Sequence, residues 1–166
     1  MRAGFSQPRD EALTLKNMKE KFSHLDEQGG ARMVNVGRKP ARRRVAIAEG
    51  RLICRPATIQ ALKKHALPKG DVLTVAQIAG IQAAKKTAEL IPLCHPLPLS
   101  HVEVSFHIRT GAVEITCSAE TISQTGVEME ALAGVAVAAL TLYDMCKAVD
   151  KEMRIEGIRV VQKIKE

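Results

Sequence analysis

Three prolines, Pro92, Pro96 and Pro98, fall within seven residues of the stretch IPLCHPLPLSHVEV, residues 91–104. Each fixes its own φ, lacks an N–H and turns the residue before it away from helix. No helix can run through this stretch, and no central strand can pair until after Pro98. The chain on either side must therefore form separate elements. Upstream, residues 71–90 (DVLTVAQIAGIQAAKKTAEL) read as one long helix, capped by Asp71 and ended by Ile91 before Pro92. Gly80 in its middle costs about 1 kcal/mol relative to Ala, which points to close helix packing. Downstream, Val102, Val104, Phe106 and Ile108 alternate with His101, Glu103, Ser105 and His107, the pattern of a half-buried strand. Thr110 and Gly111 make a turn. Val113, Ile115 and Cys117 then alternate with Glu114, Thr116 and Ser118, completing a hairpin.

The remaining patterns extend this scheme. Residues 126–150 predict a second long helix, and residues 131–140 within it are apolar on every face. Such a segment is buried all round, and in a small domain that calls for cover from another subunit. Strands are predicted at 31–36, at 45–54 with an interruption near Gly50, and at 154–163. A helix over 56–67 starts on Pro56. Residues 24–30 (HLDEQGG) read as a loop. Residues 1–22 predict an N-terminal extension, disordered or carrying a short helix, before a single catalytic domain over 23–166. The class is α+β, a mainly antiparallel sheet with helices packed on one face.

Composition narrows the function. Aromatic residues make up 2% of the 166 residues, so the core is built from Val, Ile, Leu, Ala and Met. A net charge of +7 suits an anionic partner, whether nucleic acid, nucleotide or phosphate, and also suits solubility alone. The run RKPARRR, residues 38–44, reads as a solvated loop or as a phosphate contact. The shortage of aromatics speaks against base stacking on a sheet. Four cysteines without a CxxC spacing favour reduced thiols and a cytoplasmic setting. No unbroken apolar run is long enough for a membrane span, and the first 25 residues carry charges throughout, unlike a secretory signal.

Candidate chemistry is concentrated in few places. Cys94 and His95 sit on stiff backbone, as a connector or as held binding groups. Asp144 and Lys147 share a helix face at i, i+3, as a surface ion pair or as a partly buried pair suited to proton transfer. Glu128 and Glu130 open the same helix, where carboxylates also favour the helix dipole. Fourteen residues separate Glu130 from Asp144, about 21 Å along a continuous helix. The two can meet in one site only across two chains or a broken helix. His101, Glu103 and His107 share a strand face, and with His95 they are the rival reading, a metal site. A shared face alone does not make ligands converge, so no functional metal is expected. There is no P-loop and no GxGxxG.

Residues 69–104 (KGDVLTVAQIAGIQAAKKTAELIPLCHPLPLSHVEV) and 125–151 (TGVEMEALAGVAVAALTLYDMCKAVDK), with ARMVNV upstream, closely resemble the MoaC family, the cyclic pyranopterin monophosphate synthases of molybdenum cofactor biosynthesis. The resemblance implies a ferredoxin-like α+β fold and a homo-oligomer, a hexamer built as a trimer of dimers, with active sites at the dimer interface. It implies a lyase that converts the cyclised dihydroguanosine triphosphate to cyclic pyranopterin monophosphate and pyrophosphate, with no metal or organic cofactor. It allows a transient contact with the radical enzyme that precedes it, and it involves neither nucleic acid nor membrane. By motif, Asp144 resembles the catalytic acid/base, Lys147 its partner, and Lys69 in KGD a further catalytic group. Leu93, Cys94 and His95 in LCHP, with Met129 and Glu130 in VEME, resemble substrate-binding segments. Glu128 and Arg44 are additions to them. Asn35, Arg42 and Gln124 depart from the family's usual Asp, Thr and Lys. Two other classes stay open: a basic nucleic-acid-binding module, and an inactive structural paralogue. Intact Asp144, Lys147, Lys69 and His95 argue against the second.

Overall fold

The computed structural model describes residues 24, 26, 28–64 and 70–166. The expected extension, 1–22, lies outside them, as does Lys69. The chain forms two compact units, Met1–Asn35 and Val36–Glu166. In the first, the loop expected at 24–30 is organised by Asp26, whose carboxylate accepts from the N–H groups of Gln28 and Gly30 at 3.0 and 2.6 Å. The strand expected at 31–36 does not form: only Ala31 makes an isolated bridge. Strand propensity expresses a fit to a half-buried pleated surface, and here only Val34 and Val36 are half-buried.

The second unit is α+β, as expected. Its elements are β1 (Arg42–Ile53), α1 (Pro56–Lys63), α2 (Val72–Lys85), α3 (Thr87–Leu90), β2 (Leu99–Ile108), β3 (Ala112–Ser123), α4 (Glu128–Cys146) and β4 (Arg154–Lys165). The sheet order is β2-β3-β1-β4, antiparallel throughout. The β2–β3 hairpin closes where Arg109 N–H donates to the carbonyl of Ala112 at 2.8 Å. β4 follows β1 with a bulge opposite Gly50, where Gly157 takes a φ of 66°, left-handed backbone that favours glycine.

Alternation sorts the two faces of the sheet. Val113, Ile115, Cys117 and Ala119 are fully buried on the helix side. The other face carries ion pairs instead, Arg43–Glu120 at 2.9 Å and Arg51–Glu156 at 3.2 Å. On the helix side, α2 and α4 cross at two glycines. A Cβ on Gly80 would lie 2.8 Å from the carbonyl oxygen of Gly134, and one on Gly134 would overlap the Cys117 sulfur. The glycines thus set both the helix–helix distance and the seat of α4 on the sheet.

Four expectations need correction. β1 begins at Arg42, so the end of the basic run is strand and not loop. Arg43 joins the ionic face, bonded to Glu120 and Glu166, while Arg44 turns the other way and donates to the carbonyl of Gln124. The helix expected over 71–90 breaks at Lys86, because the Thr87 hydroxyl donates to the carbonyls of Ala83 and Ala84 and closes the end of α2. Its start is as expected, with Asp71 accepting from Thr74 N–H at 3.1 Å. α4 is not buried all round: Leu132, Ala133, Ala136 and Val137 are half-buried and Leu140 is exposed. One flank lies on the sheet and α2, and the opposite flank receives no such cover from the described residues. Finally, α4 is long and apolar enough to cross a membrane by length and composition. The unbroken run 131–140 understated it, and the burial of Ala131, Val135, Ala138 and Leu142 makes it the core helix of this unit.

Candidate active site

The continuous helix α4 separates the sequence candidates into two groups, one at each end. At its N-terminal end, Glu130 points inward and is only 4% exposed. It lines a pocket with Lys85, Lys86, Pro96, Leu97 and Pro98. The proline segment is fixed there by the Thr121 hydroxyl, which donates to the carbonyl of Pro98 at 2.7 Å. Burial raises the pKa of the Glu130 carboxyl, and the charge of Glu128 adds to the effect. Cys94, half-buried in the same segment, has its thiol pushed up by burial and then by Glu130, so it is a neutral thiol and not a thiolate nucleophile at neutral pH. Leu93 and His95 are half-buried beside it, and Met129 is exposed on the first turn of α4.

Glu128 faces a neighbouring pocket of about 220 Å³, lined by Arg44, Gly126, Glu128, Lys163 and Lys165. Lys163 pairs with Glu128 at 3.2 Å. The Arg44 Nε is buried there without a hydrogen-bond partner, an orphaned donor of a kind folded proteins rarely keep. Lys163 escaped the sequence reading, since a lysine near the end of a last strand reads as solubility. The signal was its alternation with half-buried Ile164 and its pairing opposite Ala46.

Asp144 and Lys147 stand at the C-terminal end. The Lys147 Nζ lies 2.7 Å from Asp144 Oδ1, as the i, i+3 spacing requires. The pair is not partly buried: the side chains are 57% (Lys147) and 55% (Asp144) exposed. Met145 and Cys146 turn into the core while Asp144 and Lys147 point out. The hydrogen bond to Asp144, reinforced by its charge, raises the pKa of Lys147 and keeps it an ammonium. Within the pair the ammonium donates the hydrogen bond and the carboxylate accepts it.

His101 and Glu103 lie 3.9 Å apart on the open face of β2. Among the described residues no three His, Cys, Asp or Glu side chains gather as metal ligands would. In the basic run Arg43 and Arg44 are engaged by Glu120 and by the carbonyl of Gln124, while Arg38, Lys39 and Arg42 are exposed.

A buried carboxyl with a raised pKa has a signed effect on stability. Its contribution is fully present below the unfolded value of about 4.3 and is lost as pH rises through the folded pKa. We expect Glu130→Gln to melt at a higher temperature than the parent near pH 8, with the gap closing below about pH 4. Equal melting temperatures at both pH values would mean that the carboxyl is buried without cost.

The MoaC family model matches residues 33–165. Two relatives named cyclic pyranopterin monophosphate synthase, from Chloroflexus aggregans and Thermomicrobium roseum, are 57% and 58% identical to this chain over 146 residues. The matches cover 87% and 86% of the chain and 88% and 87% of those relatives. A protein of Chlorobaculum tepidum named molybdenum cofactor biosynthesis bifunctional protein is 56% identical over 86% of the chain, which spans 46% of its length. The match takes in β1 through β4, the proline segment and both ends of α4, and on that extent the chain belongs to the MoaC family.

Proposed function

We propose that the two ends of α4 supply complementary halves of one cyclic pyranopterin monophosphate synthase site, each half from a different chain of a homo-oligomer. As a member of the MoaC family the chain acts in molybdenum cofactor biosynthesis, as a lyase. Its substrate is the cyclised dihydroguanosine triphosphate, and its products are cyclic pyranopterin monophosphate and pyrophosphate. The observation that carries the reading is the Asp144–Lys147 pair at 2.7 Å, standing exposed at one end of a continuous helix whose other end holds the buried Glu130.

The residues suit the chemistry. Closing a cyclic phosphate with loss of pyrophosphate needs a base for the attacking hydroxyl and positive charge at the phosphates. Asp144 accepts the proton, and Lys147 remains a cation beside it. Lys69 adds charge from the KGD motif. Arg44 and Lys163 are the phosphate contacts, the unpaired Nε of Arg44 finding its acceptor in a phosphate oxygen. Glu130 exchanges protons with the purine-derived ring as it opens and recloses, its burial favouring the protonated acid more than in an ordinary carboxyl. Leu93, Cys94 and His95 in the proline segment, with Met129 beside Glu130, hold the substrate next to that pocket, and Glu128 tunes the charge of Glu130.

A trimer of dimers in the cytoplasm, with a ferredoxin-like topology, completes the proposal. The chain order β-helices-β-β-helix-β and the spatial order β2-β3-β1-β4 support the topology. The uncovered flank of α4 supports the assembly. Incubation with the cyclised nucleotide, followed by assay for pyrophosphate and the pterin product, tests the activity. Neither product appearing with folded, assembled protein would overturn it.

A further inference from the structure

Asp150 lies just beyond α4 and is completely buried. Its carboxylate is fully engaged. One oxygen accepts from Arg55 N–H at 2.8 Å and from the Thr58 hydroxyl at 2.9 Å. The other accepts from Glu152 N–H at 3.1 Å and pairs with the Arg55 Nε at 3.1 Å. The Arg55 guanidinium also donates to the carbonyl of Val149. The other groups facing the carboxylate are the Cys54 and Cys146 thiols, both pushed up, by burial first and then by the charge of Asp150. Burial alone would raise the pKa of Asp150, but the Arg55 and Glu152 N–H groups, the Thr58 hydroxyl and the Arg55 charge outweigh it and hold the group ionised.

This arrangement joins two segments that lie more than 90 positions apart in the sequence. α1 starts without a side-chain cap of its own and without an acidic residue in its first turn. Helix N-termini leave N–H groups that need an acceptor, and Asp150 supplies it from the far end of the chain. In doing so it anchors the turn 147–150, which hangs from the last residues of α4 by the bonds of Val149 and Asp150 N–H to the carbonyl of Cys146. Lys147 is the first residue of that turn and the C-cap of α4. On the α4 side its backbone N–H is held by the carbonyl of Tyr143 at 2.9 Å; on the far side, where the chain leaves the helix, the anchor three residues on holds it.

We propose that Asp150 is a positioning residue for the synthase reaction: by clamping the 147–150 turn onto the start of α1 it fixes where Lys147 presents its ammonium beside Asp144. The proposal rests on the assignment of Asp144 and Lys147 to the reaction. Asp150 itself is sealed from solvent and touches no substrate. A displaced catalytic group costs rate more than affinity, so the loss should fall on kcat.

The test compares Asp150→Asn, Thr58→Val and Lys147→Ala in the full chain, with the cyclised dihydroguanosine triphosphate as substrate and pyrophosphate release as readout, normalised to the folded fraction. We expect Asp150→Asn to lower kcat at least about ten-fold with KM within about two-fold. Thr58→Val, which removes one bond and keeps the charge, should lower kcat about three-fold at unchanged KM. A structural role alone would lower the melting temperature and leave the rate per folded molecule unchanged. Thr58→Val at the parent kcat overturns the proposal, whether or not Asp150→Asn folds. An inactive Lys147→Ala beside an Asp150→Asn of parental kcat overturns the positioning role alone. A fully active Lys147→Ala overturns the site assignment, and the positioning role with it.

Discussion

Replacing Asp144 with Asn should cut turnover by about 100- to 10,000-fold, the usual cost of losing a general base, while fold and assembly survive. The side chain is on the exposed flank of α4, so no core packing is disturbed by an isosteric change. Leu142, Met145 and Cys146, which seat this end of the helix, keep their burial. Two things are lost: the carboxylate proposed to take the proton, and the negative charge that helps to raise the pKa of Lys147. The amide restores neither. The pKa of Lys147 should fall toward its ordinary value, which leaves it an ammonium at neutral pH, so charge at the phosphates persists and KM should change less than kcat. Steady-state kinetics beside circular dichroism and gel filtration would check this. Activity within a few-fold of the parent would remove Asp144 from the mechanism.

Mixing two dead variants should restore activity. Asp144→Asn and Glu130→Gln should each disable every site when assembled alone. In a mixed dimer with shared sites, one site carries both defects and the other carries neither. α4 runs unbroken from Glu128 to Cys146, so Glu130 and Asp144 are held about 21 Å apart within a chain, too far for one small substrate to touch both. Random exchange of equal amounts should therefore return about a quarter of parental activity, because half of the dimers are mixed and half of their sites are intact. Exchange can be followed with differently tagged subunits. Confirmed exchange with activity still at zero would mean that the two residues do not serve one site from different chains.

The hairpin, the cap at Asp71 and the proline break were legible because each rests on local stereochemistry: alternation, a side-chain acceptor, a missing N–H. The break at Lys86 was not. AAKKT continues a helical pattern, and only the Thr87 hydroxyl, reaching back to two carbonyls, ends α2. The start of β1 was hidden by charge, since consecutive arginines read as solvated until Glu120, Glu166 and Gln124 appear as partners from distant parts of the chain. For the site, the spacing of Asp144 and Lys147 foretold their contact but not their exposure, which depends on what packs over them. The long motifs carried the family, but the contacts of Asp150, which sits within one of them, could not be read there, since its cap reaches across 95 positions of sequence.

The cysteines hold a practical consequence. Cys54 and Cys117 are buried and pushed up to about 11 and about 12, and Cys146 is buried and raised as well. Alkylation requires a reachable thiolate, so these three sulfurs are protected twice over. The Cys94 thiol is raised too, but it alone among the four is half-exposed, in the segment beside Glu130, so it alone can present its small thiolate fraction to a reagent. A maleimide dye added to the native chain would thus mark this one position first, without mutagenesis, in the proline segment whose Pro96, Leu97 and Pro98 line the Glu130 pocket. Whatever fills that pocket, nucleotide or neighbouring subunit, would announce itself as a slower labelling rate.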